Sequence, residues 1–372
     1  MTNASAPQVD CLVNRFDHIE IATRDIDEME ALWAKLGFAR TQARENAQGR
    51  SRLLTQGQIR VLLTEGKPGS FADEYVTAHG EGVCALAYTV PSARGTLETA
   101  LSRGAQVAQV ATEESEDLGS TKIRTVSAAI RSFGDVRAVF VERHATVGGA
   151  SVGAFDVAAP FAPGFRPSAP PASVTGLGLL SIDHLTNNVE MGKMEFWADF
   201  YRRIYGWVEA RYFDIRAEQT GLNSKVLQSP DGAVKVPVNQ ATEAKSQVQE
   251  FIDQHRGAGV QHIALTTNDI CGTVAEMKKR GFKFLEMTPN YYDEVRARFG
   301  GKIKEDLNQV RNLDVLVDGD EKGYLLQIFT ENQIGPLFFE IIQRRGHNGF
   351  GEGNFKALFE AIERDQKKRG VL

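Results

Sequence analysis

Two stretches of the chain repeat one order of apolar and polar positions. In FDHIEIATRDIDEMEALWAKLGF and IDHLTNNVEMGKMEFWADFYRRIYGW, a short strand-like run carrying Asp-His leads into apolar residues at helical spacing. Met29, Leu32, Trp33 and Leu36 mark one amphipathic helix, Met194, Trp197 and Tyr201 the other, and each ends at a glycine. The echo continues where HGEGVCALAYTV (79–90) matches HRGAGVQHIALTT (255–267), each followed by a helical stretch that stops at Arg-Gly, Arg103-Gly104 and Arg280-Gly281. This repeated order predicts an α+β fold of two duplicated domains. Each is built of paired βαβββ units whose mixed strands curl around a cleft instead of forming a parallel sheet. A last pattern closes the chain: Gly349, Gly351 and Gly353 precede Phe355, Leu358, Phe359 and Ile362 at helical spacing, which predicts a hinged amphipathic helix over 354–369 that either packs on its own domain or forms a lid over the cleft. Those glycines imitate a dinucleotide fingerprint, but no complete βαβ unit follows them, so that match is rejected.

Between His144 and Gly178 lie five of the twelve prolines and little periodic pattern, interrupted by Phe161 and Phe165. This reads as a connection lying along a surface, and it divides the chain into domains at 1–150 and 179–372 with a linker at 151–178. A length of 372 residues agrees with two domains at about 100–200 residues each. Lys and Arg number 43 against 48 Asp and Glu, a net charge of −5, and neither sign forms a block, which argues against nucleic-acid or membrane partners. Cys11, Cys84 and Cys271 lack paired spacing, so no disulfide framework or thiolate metal site is expected and a reducing, cytoplasmic setting is. No apolar run approaches the roughly 18 residues of a membrane span, and the N-terminus lacks a basic segment followed by an apolar one; a soluble protein is expected.

Laying one half on the other places His18 on His184 but Ala85 on His262. Chemistry that needs two histidines can therefore exist only in the second half, and the first reads as a scaffold. Alongside those two, Glu340 sits in FFEIIQR, and each of the three occupies its own β-prone run, from which alternating side chains can converge on one face of a curled sheet. Two imidazoles and a carboxylate suit Fe(II) and leave three octahedral positions open; zinc competes, although the HExxH spacing of a zinc protease is absent. Against this, a histidine in an apolar strand is more often a hydrogen-bonded core residue, and Glu340 can find an ordinary ion pair in Arg344 or Arg345. Ser224, Asn239, Gln261 and Gln327 also break apolar strands. They either line a cleft for a polar organic substrate, with Phe329 beside them, or serve as ladder caps and water ligands.

The second half resembles the 4-hydroxyphenylpyruvate dioxygenase family of the vicinal oxygen chelate superfamily through IDHLTNNV, FYRRIYGW, RYFDI, TGLNSKVL, VPVNQ, GAGVQHIAL, LLQIFT, FFEIIQR and GFGEGNFKALFEAIERDQ. The first half agrees more loosely, through its placement and the shared repeat. The resemblance implies one Fe(II) per subunit held by His184, His262 and Glu340. It implies a substrate cavity lined by Ser224, Asn239, Gln247, Gln261, Gln327, Phe329, Phe338, Phe350, Asn354 and Phe355, with the final helix as its gate. The implied reaction takes 4-hydroxyphenylpyruvate and O2 to homogentisate and CO2 by oxidative decarboxylation, ring hydroxylation and side-chain migration, a step of tyrosine and phenylalanine catabolism. Bacterial members are homotetramers, which is the assembly implied here. The sister enzyme 4-hydroxymandelate synthase uses the same iron and substrate but typically has an apolar residue where Asn239 stands, which favours ring chemistry. A metal-free ligand-binding protein on the same fold is the more distant alternative.

Overall fold

The computed structural model describes residues 10–372 except 154–155, 157–158, 171, 217–219, 369 and 371–372. The start of the predicted first domain, parts of the predicted linker, and Arg369 at the end of the predicted gate helix therefore lie outside the described residues. Two curved mixed sheets carry the fold. The first contains β1 (Phe16–Thr23), β2 (Ala39–Asn46), β3 (Gly49–Gln56), β4 (Ile59–Gly66), β5 (Gly82–Thr89), β6 (Val107–Asp117), β7 (Thr121–Arg131) and β8 (Arg137–Val147), in the order β2-β3-β4-β1-β5-β8-β7-β6. The short strands β9 (Ala150–Val152) and β10 (Arg166–Pro167) pair with β8 and β2. The second contains β11 (Leu179–Val189), β12 (Val208–Arg216), β13 (Gly221–Gln228), β14 (Lys235–Ala241), β15 (Gly259–Thr267), β16 (Leu316–Gly319), β17 (Tyr324–Phe329) and β18 (Phe338–Arg345), in the order β12-β13-β14-β11-β15-β18-β17-β16.

The two orders trace one path. Each sheet has an antiparallel pair at its centre, β1–β5 and β11–β15, flanked on both sides by parallel pairs, β4–β1 and β5–β8 in one and β14–β11 and β15–β18 in the other. That is the paired βαβββ arrangement the repeated pattern predicts. The helices are α1 (Ile26–Lys35), α2 (Phe71–His79), α3 (Ala93–Ser102), α4 (Met194–Phe200), α5 (Gln247–His255), α6 (Ile270–Lys279), α7 (Pro289–Phe299), α8 (Leu307–Asn312) and α9 (Phe355–Lys368). Helix α1 forms where Asp25 accepts from the amides of Asp27 and Glu28, and it buries Ile26, Met29 and Trp33 against the first sheet. Its counterpart α4 widens into a π-turn at Tyr201–Tyr205 before stopping at Gly206, whose φ of 71° suits glycine. The wider turn buries Tyr201, Ile204 and Tyr205 and stacks Tyr201 on Trp207 at 5.1 Å.

One apolar core runs through both sheets; Trp33 from α1 meets Phe339 from β18 edge-on at 5.2 Å. The segment after β9 packs on the first sheet through the buried rings of Phe161 and Phe165, with the Phe161 amide donating to Gln42 Oε1 at 2.7 Å. Among the described residues helices α7 and α8 have no counterpart in the first half, and they enlarge the second on the β16 side, where Tyr291 Oη donates to the Val317 carbonyl at 3.1 Å. Among the described residues no helix is long and apolar enough to cross a membrane.

Candidate metal centre

The central strands of the second sheet bring together three residues far apart in the chain. Across β11, β15 and β18, His184 lies opposite Ala264 and Ala264 opposite Glu340, so these three form one cross-strand row. Because side chains alternate, His262, two residues before Ala264, points to the same face. The small side chain of Ala264 leaves the space in which the flanking residues meet. His184 Nε2 lies 3.1 Å and His262 Nε2 3.4 Å from the same oxygen, Glu340 Oε2. One donor atom from each residue falls within 4.8 Å of the others.

The outer nitrogens are occupied. His184 Nδ1 is 2.9 Å from Asp183 Oδ1, and His262 Nδ1 is 3.1 Å from Gln261 Oε1. Adjacent strand residues ordinarily face opposite ways; an irregularity in the β11–β15 register between Ile182 and His184 turns Asp183 toward its neighbour. With each Nδ1–H given to an acceptor, both Nε2 atoms are aimed inward, the arrangement that orients histidines on a metal. Thr186 adds its hydroxyl 2.9 Å from His262 Nε2. Thr186 escapes a reading limited to His and Glu, although its place two residues after His184 puts it on the same strand face.

Arg344 and Arg345, the sequence's alternative partners for Glu340, pair elsewhere. Arg344 clasps Asp183 with two bonds of 2.7 and 2.8 Å, and Arg345 reaches Glu305 at 3.3 Å. The buried carboxylate of Glu340, 3% exposed, therefore has the two imidazoles as its neighbours. Burial alone would raise the Glu340 pKa, but His184 and His262 hold it down at about 2. Burial likewise depresses His184, yet Glu340 and Asp183 together lift it to about 9, while burial leaves His262 lowered. The cluster thus draws a positive charge to one point, and a divalent cation taking that point displaces the proton of His184. The donor set fits a borderline metal such as Fe(II) in number, type and orientation.

A cavity of about 340 Å³ opens over this cluster. Ser224, Asn239, Gln247, Gln261, Phe329, Phe338, Phe350 and Phe355 line it together with the three donors. Ser224 and Asn239 lie opposite each other on β13 and β14, a polar pair among apolar neighbours. Phe338 stacks on His262 at 4.9 Å, and Phe350 meets His184 edge-on at 5.4 Å. Gln327 and Asn354 do not reach the cavity wall. Gln327 is covered by Gly351, where any Cβ would fall within 2.1 Å of its Nε2, and Asn354 Oδ1 accepts from Tyr291 Oη at 2.7 Å. The structure adds wall residues that no polar signal marks, among them Phe213, Leu285 and Pro336.

The first sheet repeats the frame without the donors. His18 lies opposite Ala87 and Ala87 opposite Val139, so Val139 stands at the place of Glu340 and Ala85 at that of His262. Asp17 still meets His18 Nδ1 at 2.8 Å and is still clasped by an arginine, Arg143, at 2.7 and 3.2 Å.

Fold and cluster together define a vicinal-oxygen-chelate protein with two imidazoles and a carboxylate gathered beneath the cavity of its second half. A family model described as "Hydroxyphenylpyruvate dioxygenase, HPPD, N-terminal" matches residues 10–157, and one described as "Glyoxalase/Bleomycin resistance protein/Dioxygenase superfamily" matches 181–328. Hemolysin VllY of Vibrio vulnificus is 41% identical over 96% of both chains. The 4-hydroxyphenylpyruvate dioxygenase of Pseudomonas aeruginosa is 39% identical over 96% of this chain and 95% of its own. A mutant of 4-hydroxymandelate synthase from Streptomyces coelicolor superposes with a TM-score of 0.78 at 27% identity, covering 95% of this chain and 99% of that one. The chain belongs to the 4-hydroxyphenylpyruvate dioxygenase family.

Proposed function

We propose that the protein is a non-haem Fe(II) dioxygenase that converts 4-hydroxyphenylpyruvate and O2 to homogentisate and CO2, a step of tyrosine catabolism. The observation that carries this reading is the convergence of His184, His262 and Glu340 beneath one cavity, in a chain of this family. When bound, Fe(II) supplies a Lewis-acidic centre with positions left for the substrate's 2-oxo acid and for O2. The chain's own residues do the rest. His184, His262 and Glu340 hold the metal on one side, and Asp183 and Gln261 keep the two imidazoles in the tautomer that ligates.

Phe329, Phe338 and Phe355 confine the aromatic ring by stacking, so that its reacting carbon stays near the metal. Ser224 and Asn239, with the amino group that Gln261 has left after its carbonyl oxygen accepts from His262, offer hydrogen bonds for a phenol. Helix α9 closes the cavity with Leu358, Phe359 and Ile362, excluding water from the oxidising centre. The first half serves as a scaffold, and a cytoplasmic homotetramer is the assembly that the likeness to bacterial members supports.

The structural likeness to 4-hydroxymandelate synthase supports a second reading, in which the side chain and not the ring is hydroxylated. Loading the protein anaerobically with Fe(II), then adding 4-hydroxyphenylpyruvate and air, separates these readings. O2 uptake with homogentisate in the chromatogram is expected. Hydroxymandelate would transfer the protein to the sister activity, and no O2 uptake by the iron-loaded protein would leave a ligand binder.

A further inference from the structure

Both halves hold one constellation that reaches from a histidine to a phenylalanine ring, and the first half keeps it without the full ligand set. In the second, Asp183 joins His184 to Arg344, and the same guanidinium donates from Nη1 to the carbonyls of His347 at 3.0 Å and Gly349 at 2.7 Å. The next residue, Phe350, sets its ring edge-on against His184 at 5.4 Å. In the first half, Asp17 joins His18 to Arg143, whose Nε donates to the carbonyl of Phe161 at 2.6 Å. Phe161 sets its ring edge-on against His18 at 5.0 Å. Aspartate, histidine, arginine and a phenylalanine cap thus recur where Ala85 and Val139 have replaced two of the donors. A ring is thus seated edge-on against a histidine in both halves, whether or not the other two donors are present.

The two caps differ in how they are held. Phe161 is 7% exposed, packs edge-on against Phe165 at 5.1 Å, and is tied by its amide to Gln42 at 2.7 Å. Phe350 is half-buried between Gly349 and Gly351, and its amide bonds within its own loop, to Glu352 Oε2 at 3.1 Å. Gly351, at φ 77°, leads into the short turn Glu352–Asn354 and then α9. The first cap is a fixed plug. The second sits on a hinge that Arg344 ties to the sheet at the carbonyls of His347 and Gly349, beside a second tie in which the Gly353 amide donates to Asp318 Oδ2 at 2.9 Å. Beneath that hinge lie the buried side chains of Gln327 and Asn354, the latter accepting from Tyr291 Oη at 2.7 Å.

We propose that Arg344 is a positioning residue that couples the orientation of His184 to the seating of Phe350, so that metal binding and closure of the cavity entrance favour each other through one guanidinium. Such coupling is reciprocal: a metal that fixes His184 and Asp183 steadies the loop 346–352, and a seated loop slows release of the metal. The proposal rests on the reading of His184 as a metal ligand.

The test uses full-length protein loaded with Co(II), which takes the same nitrogen and oxygen donors and is visible in its absorption spectrum. Release of Co(II) to a chelator is timed, and hydrogen exchange of peptides spanning 346–360 is followed with and without metal. In the wild type, loading should slow exchange in that segment. Arg344→Lys keeps the charge but loses the fork; it should release Co(II) tenfold faster or more, as changes behind a metal ligand commonly do, and its exchange should no longer respond to loading. Asp183→Asn, close in shape, repeats the test from the other end, and Arg143→Lys should change neither readout. If loading slows exchange in Arg344→Lys as much as in the wild type, or if Co(II) release is unaltered, the coupling is overturned while the metal site stands. If the wild type takes up no Co(II), both readings fall together.

Discussion

Glu340 shows what one residue's chemistry demands and what its sequence neighbours conceal. A carboxylate between Phe339 and Ile341 must be compensated, and that much is legible in FFEIIQR. Which group compensates it depends on strand register, and local sequence points as readily to Arg344, two strand steps beyond on the same face. The register of β15 against β18 decides the matter by placing Ala264 beside Glu340 and His184 beyond it. Asp183 was equally hidden, because strand alternation would turn it away and the local irregularity in β11 turns it back. The Glu340→Gln variant retains the shape and removes the charge. It should keep the fold by circular dichroism, lose turnover, and bind iron at least tenfold more weakly by metal analysis. Near-normal turnover in that variant would remove Glu340 from the ligand set.

Helix α9 carries its own pattern in the sequence but not its partners. Its spacing of Phe355, Leu358, Phe359 and Ile362 was readable as an amphipathic helix, and so were the glycines that hinge it. Its attachment was not, since the partners lie far upstream in the chain. Phe359 joins Ile215, Leu222, Ala241 and Val248 in a small cluster separate from the main core. Glu363 accepts from the amide and hydroxyl of Thr220 at 3.0 and 2.9 Å, and Gln366 donates to Glu250 at 2.9 Å. Ala361 is buried in the main core, with Ala357 and Leu358 packed against it, so α9 is anchored there as well as in the small cluster. Helices α7 and α8 were also beyond sequence reading, for the opposite reason: the repeat that exposes the other elements has no echo of them. Deletion from Asn354 onward removes the helix but leaves Arg344, Gly349 and Phe350. It should lower kcat/KM tenfold or more while iron stoichiometry by metal analysis stays near that of the full chain. Unchanged kinetics would mean that α9 is not the closing element.

At the scale of the whole molecule, the echo between HGEGV and HRGAGV located the duplication but said nothing of how the halves meet. They meet in part through those same histidines. His79 ends α2 and His255 ends α5, and their rings stack at 4.7 Å and 14°. His79 Nδ1 donates to the His255 carbonyl at 3.1 Å, and its Nε2 lies 2.8 Å from Asp135; His255 Nε2 lies 3.1 Å from the hydroxyl of Tyr75. Burial pushes the His255 pKa down to about 4; its bond to the Gly257 carbonyl opposes that fall, and the charges of His79 and Arg256 deepen it. The unfolded chain, with an ordinary value of about 6.5, takes up this proton more readily than the folded one. The stability tied to a neutral His255 is therefore complete above pH 6.5, declines as pH falls toward 4, and is gone below that. Its size is about 3 kcal/mol at roughly 1.4 kcal/mol per pH unit. Urea unfolding followed by tryptophan fluorescence should show the wild-type midpoint falling from pH 6.5 to pH 4 more steeply than that of His255→Gln, which cannot take up the proton. Groups remote from the junction titrate alike in both proteins, so the difference between the two curves reports the coupled pair His255 and His79. Parallel curves would mean that protonation at this junction is not what loosens the halves in acid.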